Sequence, residues 1–495
     1  MEHIHHLIGG EIVEGTSGRT SPVYNPATGV QTGELSLASV AEVDAAVANA
    51  AEAFETWRSS SLAQRTKIMF AYRDLVHRNA DEIAARLTAE HGKVKADALG
   101  EVARGLENIE FACGISELLK GGYNEQASTG VDVYTVRQPL GVVAGITPFN
   151  FPAMVPLWMI PNALACGNTF VLKPSERDPS SAFFIAELAQ EAGFPPGVLN
   201  VINGDAEAVN RLLVHPDIAA VSFVGSTPIA KHVFDTANGV GKRVQALAGA
   251  KNHMIVLPDA DVGLAADAAV SAAYGSAGER CMAISVAVAV GDVADELVDA
   301  VQQRIDKLIV GPGDDPASEM GPLITADAQA RVTDYIDQGA SAGATVVVDG
   351  RDKRFDGDGF FVGATLIDHV TTDMSVYRDE IFGPVLSVVR VETYAEAVDL
   401  IKNNPWGNGA AIFTRDGGAA RQFVVDADAG MVGINVPIPV PVAYHSFGGW
   451  KDSLFGDTTM YGPEGVRFFT KAKVITERWP DPATSTVNLG FPTTS

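Results

Sequence analysis

The chain has 495 residues, with 36 Lys+Arg against 61 Asp+Glu and a formal net charge of −25. That balance argues against a general nucleic-acid binder, whose affinity depends on Lys and Arg neutralising phosphates. With 46% hydrophobic and 20% charged residues, it is not a disordered acidic tail either, and its length suits two or three domains. The three cysteines, Cys113, Cys166 and Cys281, are too few and too scattered for a disulfide framework or a zinc site. They point to a reducing, cytoplasmic setting, and the N-terminus shows no basic n-region and apolar h-region of a secretory signal.

His3, His5 and His6 read as a solvated terminus. The first 120 residues then read as helical after a short extended start. Ser39 with Glu42, and Ser61 with Gln64, have capping-box spacing. Behind the first cap, Val43, Ala46, Val47, Ala50, Phe54 and Trp57 recur at helical spacing and predict an apolar face. Cys113, on the third helix, reads as a core thiol. Residues 138–172 hold no Asp, Glu, Lys or Arg, but Pro139, Pro148, Pro152, Pro156 and Pro161 break the run too often for a membrane span.

From residue 140, apolar runs at 140–146, 169–172, 198–202, 219–224 and 244–248 alternate with helix-like stretches near 157–165, 180–192, 206–213 and 228–237. Short apolar strands separated by helices predict parallel pairing in a doubly wound α/β sheet, which binds ligands beyond the C-terminal ends of its strands. A second α/β region follows from about 250 to 440, with strands at 284–290, 345–348, 385–391, 410–413 and 431–435 and helices at 325–342 and 394–403. Residues 436–442 alternate Pro with apolar residues, suiting an extended edge or loop. Two strand-like pieces, 131–138 and 466–477, fall outside both sheets and fit either an arm completing a partner's sheet or a local hairpin.

Cys281, in Gly278-Glu-Arg-Cys-Met-Ala283, follows a turn and precedes a strand, with Glu279 and Arg280 favouring a polar edge. Cys166 lacks such neighbours and reads as packing. Asn150, in Thr147-Pro-Phe-Asn-Phe-Pro152, falls at a strand's C-terminal end, where its amide could meet an oxyanion or merely stabilise a Pro-rich turn. The next strand ends in Lys173-Pro-Ser-Glu176: a lysine can meet a ribose hydroxyl or phosphate, and a glutamate can accept from ribose hydroxyls while repelling a 2′-phosphate. In Phe223-Val-Gly-Ser-Thr-Pro-Ile-Ala230, Ser226 or Thr227 can cap a helix whose first N–H groups could face a pyrophosphate.

Together TPFNFP, KPSE, FVGST, GERC and Glu380-Ile-Phe-Gly-Pro384 resemble the aldehyde dehydrogenase superfamily in order and approximate spacing over nearly the whole chain. The resemblance implies a doubly wound NAD-binding domain (1–120 and 139–248), an α/β catalytic domain (249–442) and a β oligomerisation arm (121–138 and 466–495). It implies Cys281 as nucleophile and Asn150 as oxyanion donor. Lys173, Glu176, Ser226, Glu380 and Phe382 become NAD contacts, with Thr147, Phe149, Arg177 and Ala248 as neighbours.

Hydrolytic members of the superfamily carry a Glu-Leu-Gly-Gly-Lys motif whose Glu activates the deacylating water, whereas this chain has Leu247-Ala-Gly-Ala-Lys251. A leucine accepts no proton, so a thioester would persist for a better nucleophile such as the thiol of coenzyme A. That loss, with GAKNH, GERCMA, Pro437-Ile-Pro-Val-Pro441 and His445-Ser-Phe-Gly-Gly-Trp-Lys451, resembles the CoA-acylating methylmalonate-semialdehyde dehydrogenases. The resemblance implies a carboxylated aldehyde held by Arg104 and Arg280, NAD as cofactor, CoA as co-substrate and a homodimer or homotetramer, while the charge balance and the proline-broken apolar run argue against nucleic acid and membrane as partners. On spacing alone, Arg104 reads as a solvated or ion-paired helix residue. A hydrolytic aldehyde dehydrogenase and a non-catalytic protein on the same scaffold are the alternatives.

Overall fold

The computed structural model describes residues 2–483, 485–487 and 489. Of the expected arm segment 466–495, positions 484, 488 and 490–495 lie outside the described residues. The opening is more extended than the sequence suggests, with five strands before the first helix at Val40–Trp57. Glu2–Ile4, Val30–Ser36 and Thr20–Asn25 form a small sheet, while His6–Ile8 and Glu11–Val13 join the edge of an eight-stranded one. Of the histidine trio, His3 is exposed and His5 half-buried, so only His6 departs from the expected solvated terminus. His6 is fully buried, accepts from the Asn203 N–H at 3.2 Å, and has its pKa lowered by that burial. Several of these strands span only three residues, too few for alternation to be legible.

Ser39 and Glu42 make a reciprocal capping box. At the next helix, Leu62–Arg78, Ser61 accepts from the Gln64 N–H at 3.2 Å, the one half of the predicted box that forms. Phe54 is only half-buried on its helix, while Val43, Ala46, Val47, Ala50 and Trp57 are buried. Cys113 ends the fourth helix, Lys95–Cys113, not the third; burial, reinforced by the Glu110 charge, pushes its thiol up to about 11.

The eight-stranded sheet has a parallel centre in the order Arg243–Leu247, Ile218–Val224, Val142–Ile146, Thr169–Lys173, Leu199–Val201. Chain order reverses between Val142–Ile146 and Ile218–Val224, opening a crevice at their C-terminal ends. Apolar clusters cover both faces, one of them built on Met154–Ala165, a helix buried on every side. No helix among the described residues is long and apolar enough to cross a membrane.

The second, seven-stranded sheet includes Asn252–Val256 and Thr365–Asp368, which pattern reading missed, besides the predicted strands. Residues 437–442 form no strand, and the chain then returns to the first sheet, where Leu454–Phe455 pairs antiparallel with Arg243–Leu247. The arm is a three-stranded sheet of Tyr123–Ser128, Val131–Pro139 and Thr470–Glu477, its ladder running from Thr470 opposite Pro139 to Glu477 opposite Asp132. The stretch 466–468, expected as strand, belongs instead to the helix Gly462–Phe468, whose final carbonyls accept from the Arg243 guanidinium.

Candidate active site

The chain passes from the C-terminal end of Arg243–Leu247 through 248–251 directly into Asn252–Val256, the neighbour of Ile284–Val290. The C-terminal end of the first sheet is thereby joined to the N-terminal end of the second. Cys281, just before Ile284, comes to the linker, and a concavity there is lined by Ala250, Lys251, Gly278, Arg280, Cys281 and Glu380, with Phe382 alongside. Gly249 lets this linker pass close to the glutamate: a Cβ there would lie 2.5 Å from Glu380 Oε2.

Cys281 is half-buried, and its carbonyl accepts from Asn252 Nδ2 at 2.9 Å and Asn408 Nδ2 at 3.1 Å. Both asparagines went unnoticed in the sequence; Asn252 belongs to the GAKNH run, whereas Asn408 carries no motif signal. Ahead of the cysteine, Ser276, Ala277 and Gly278 are all left-handed, with φ of 53°, 51° and 74°. Gly278 is needed there, because a Cβ would come 2.2 Å from the Gly383 carbonyl oxygen. The Cys281 loop thus abuts the turn holding Phe382, itself at φ 55°. Burial pushes the Cys281 thiol up to about 11, the Glu380 charge adds to this, and Arg280 opposes it. Burial also raises the Glu380 carboxyl to about 7, although one oxygen accepts from the Ala250 N–H at 3.0 Å. Lys251, held by the Val376 and Asp379 carbonyls, is lowered to about 8 by burial.

At the first sheet's crevice, Thr147 follows Val142–Ile146, and its hydroxyl is buried without a hydrogen-bond partner among the described residues. The Phe149 ring meets Phe382 edge-on at 5.8 Å and carries the Arg177 guanidinium 5.2 Å from its centroid. Lys173, buried at its strand's end, donates to Glu176 at 2.9 Å. Burial raises the Glu176 pKa, but the Lys173 charge and hydrogen bond, a backbone N–H and the Arg177 charge together outweigh it and the net shift is downward, so the carboxylate stays ionised. Ser226 is the exposed N-cap of Thr227–Gly239, and its side chain makes no cap bond. The Thr227 hydroxyl accepts instead from the Gly249 N–H and the Trp406 indole. Ala248 is buried, its N–H bonded to the Ser453 carbonyl.

Asn150 is buried at the start of the Met154–Ala165 helix, and its carbonyl accepts from Lys93. The two arginines differ. Arg280 shares the Cys281 concavity and donates to Asp97 at 2.6 Å. Arg104 is exposed and bonded to Glu107 on its own helix, near enough to Tyr461 for its charge to act on that hydroxyl. Leu247 is 6% exposed and belongs to the apolar cluster, shared with Met282, against which Cys281 packs. Cys166 is buried, and burial pushes its thiol up to about 12.

The aldehyde dehydrogenase family model matches residues 12–475. A malonate-semialdehyde dehydrogenase from Pseudomonas aeruginosa is 54% identical over 486 residues, covering 98% of each chain. The crystal structure of a methylmalonate-semialdehyde dehydrogenase from Oceanimonas doudoroffii superposes with a TM-score of 0.96 at 56% identity, covering 98% of this chain and 99% of that one. A Sinorhizobium meliloti protein, provisionally described as a methylmalonate-semialdehyde dehydrogenase and solved with NAD, gives 0.97 at 52% identity, with the same coverage. With a half-buried cysteine at the junction of two α/β sheets and a family match over nearly its whole length, the chain belongs to the aldehyde dehydrogenase family.

Proposed function

We propose that the protein oxidises malonate or methylmalonate semialdehyde with NAD and transfers the acyl group to coenzyme A, through a thioester on Cys281. The observation that carries the CoA dependence is Leu247: where hydrolytic relatives place a carboxylate base, this chain buries an aliphatic side chain in the cluster beside the nucleophile. The residues at the first sheet's crevice fit a dinucleotide. The unpartnered Thr147 hydroxyl, the Lys173–Glu176 pair and the open helix start at Ser226 offer, in turn, a polar contact, ribose recognition and anion-binding N–H groups. The charged Glu176 favours NAD over NADP, because it repels a 2′-phosphate.

The Cys281 thiolate attacks the aldehyde carbon, and the Asn150 amide with the Cys281 backbone N–H meets the oxyanion of the thiohemiacetal. NAD, when bound, accepts the hydride, which leaves the acyl group as a thioester on Cys281. Arg280, whose guanidinium donates one hydrogen bond to Asp97, keeps further N–H groups for the substrate carboxylate, and Arg104 is its companion. The carboxylate sits on the carbon next to the thioester carbonyl, so CO₂ can depart with the bonding electron pair delocalised into that carbonyl, and a proton from solvent then quenches the resulting enolate. The CoA thiol then attacks the thioester, frees Cys281 and yields acetyl-CoA or propionyl-CoA. The arm presents exposed strand edges suited to a second copy, and we take the assembly to be a cytoplasmic homo-oligomer.

The test counts products from purified enzyme, each semialdehyde and NAD. Without CoA we expect a burst of NADH equal to the sites and then slow turnover; with CoA, sustained turnover to the acyl-CoA. Free acid formed at one rate with or without CoA would refute the proposal in favour of a hydrolytic enzyme, and no burst would favour a non-catalytic protein. Arg280→Leu and Arg104→Leu should each lose activity on the carboxylated substrates while retaining it on propanal.

A further inference from the structure

We propose that Lys93 and Glu101, two side chains outside every motif of the site, are positioning residues that fix the oxyanion donor Asn150; the inference rests on the assignment of that role above. The helix Met154–Ala165 starts at Ala153, which has no side-chain acceptor for its first N–H groups. Glu101, from the adjacent helix, supplies one: Oε1 accepts from the Ala153 N–H at 2.8 Å and the Met154 N–H at 3.0 Å. Its other oxygen accepts from Lys93 Nζ at 2.5 Å. The same Lys93 Nζ donates to the Asn150 carbonyl at 2.7 Å and lies 4.6 Å from the Phe151 ring centroid. One ion pair therefore holds residues 150–154 at both ends.

Both charged side chains have zero exposure. Desolvation makes such a pair a poor source of stability, and apolar residues of similar volume often serve a core as well or better. Apolar residues could not grip a carbonyl and two N–H groups at once. The same helix, Lys95–Cys113, carries Asp97 one turn before Glu101, and Asp97 holds Arg280, the neighbour of Cys281. The nucleophile's loop and the oxyanion donor's loop are thus both referenced to one rigid element. Misplacement by about 1 Å can cost about 100-fold in rate.

The decisive variant is Lys93→Met with Glu101→Gln. It removes both charges together, and the Gln carbonyl still accepts from Ala153 and Met154. We expect a melting temperature close to that of the unaltered protein, a KM for NAD within about twofold, an unchanged rate of Cys281 alkylation, and kcat lower by about 10- to 100-fold. Because the loss acts through Asn150, adding Asn150→Ala should give a kcat no lower than Asn150→Ala alone. If the double variant fails to fold, Lys93→Met alone, which leaves Glu101 bonded to the Ala153 and Met154 N–H groups, carries the same kcat, KM and alkylation expectations with a lower melting temperature. A kcat within about twofold of the unaltered enzyme, or losses that multiply with Asn150→Ala, would overturn the proposal. A silent Asn150→Ala would instead overturn the oxyanion assignment, and with it any action of Lys93 through that residue.

Discussion

Leu247→Glu restores a carboxyl where this chain lacks one, and both its cost and its gain can be estimated. Leu247 is 6% exposed, paired in the sheet with Val224 and Leu454. Losing its burial removes about 2 kcal/mol, and burying a carboxyl there costs a further ~1–3 kcal/mol. The variant should therefore be about 3–5 kcal/mol less stable, tolerable for a large two-sheet core but visible in a urea melt. A positioned general base is worth about 100- to 10 000-fold, so release of free acid without CoA should rise by that order. The introduced carboxyl is desolvated, its pKa lies above the ordinary range, and hydrolysis should climb as pH rises through that shifted value. The assay separates free acid from acyl-CoA by chromatography after an NADH burst that certifies acylation. Leu247→Gln, polar but unable to take the proton, should leave hydrolysis low. A folded Leu247→Glu enzyme with a full burst and no added hydrolysis would refute the account of the missing base, and equal gains in Glu and Gln variants would show that water access, not proton transfer, is limiting.

Other consequences follow from charge and backbone geometry. Glu380→Gln removes a negative charge that helps hold the Cys281 thiol up, so alkylation of the ligand-free enzyme by iodoacetamide at pH 8 should accelerate, by no more than about tenfold for one pKa unit. Since Glu380 itself ionises near 7, that advantage should vanish at pH 6, and a slower reaction at pH 8 would contradict the charge argument. Gly278→Ala puts a Cβ 2.2 Å from the Gly383 oxygen at φ 74°; kcat/KM should fall about 100-fold or more as the Cys281 loop or the Phe382 turn is displaced, and wild-type activity would show that neither placement matters. Hydrogen bonds from Ser39 and Thr16 overcome the effect of burial and hold Glu42 down to about 2, so its stabilising share is complete above the ordinary carboxylate pKa and is lost as pH falls towards 2. Glu42→Gln should thus cost about 1–3 kcal/mol at pH 7 and far less at pH 2, as read by denaturant melts; an equal cost at both would exclude the carboxylate charge as the cause.

Short-range chemistry in the sequence determined much of this protein. The alternation of apolar strands with helices from residue 140 specified a doubly wound sheet, because parallel strands buried on both faces leave uninterrupted apolar runs. Motif order located Cys281, Asn150, Lys173, Glu176 and Glu380, and the absent carboxylate at 247 was legible as a single letter. The strand His6–Ile8 was not, nor was the burial of His6, since both depend on neighbours some 190 residues away in the chain. Tertiary structure alone decided how the site is held. Asn252, at the start of a strand, and Asn408, between two others, meet at the Cys281 carbonyl, Asp97 reaches Arg280 across 183 positions, and Glu101 caps a helix whose N-cap lies 52 residues later. Local sequence encodes the period and the turn chemistry of an element. Which buried donor finds which acceptor is settled only when two sheets are joined end to end, and burial then makes each of those pairings obligatory.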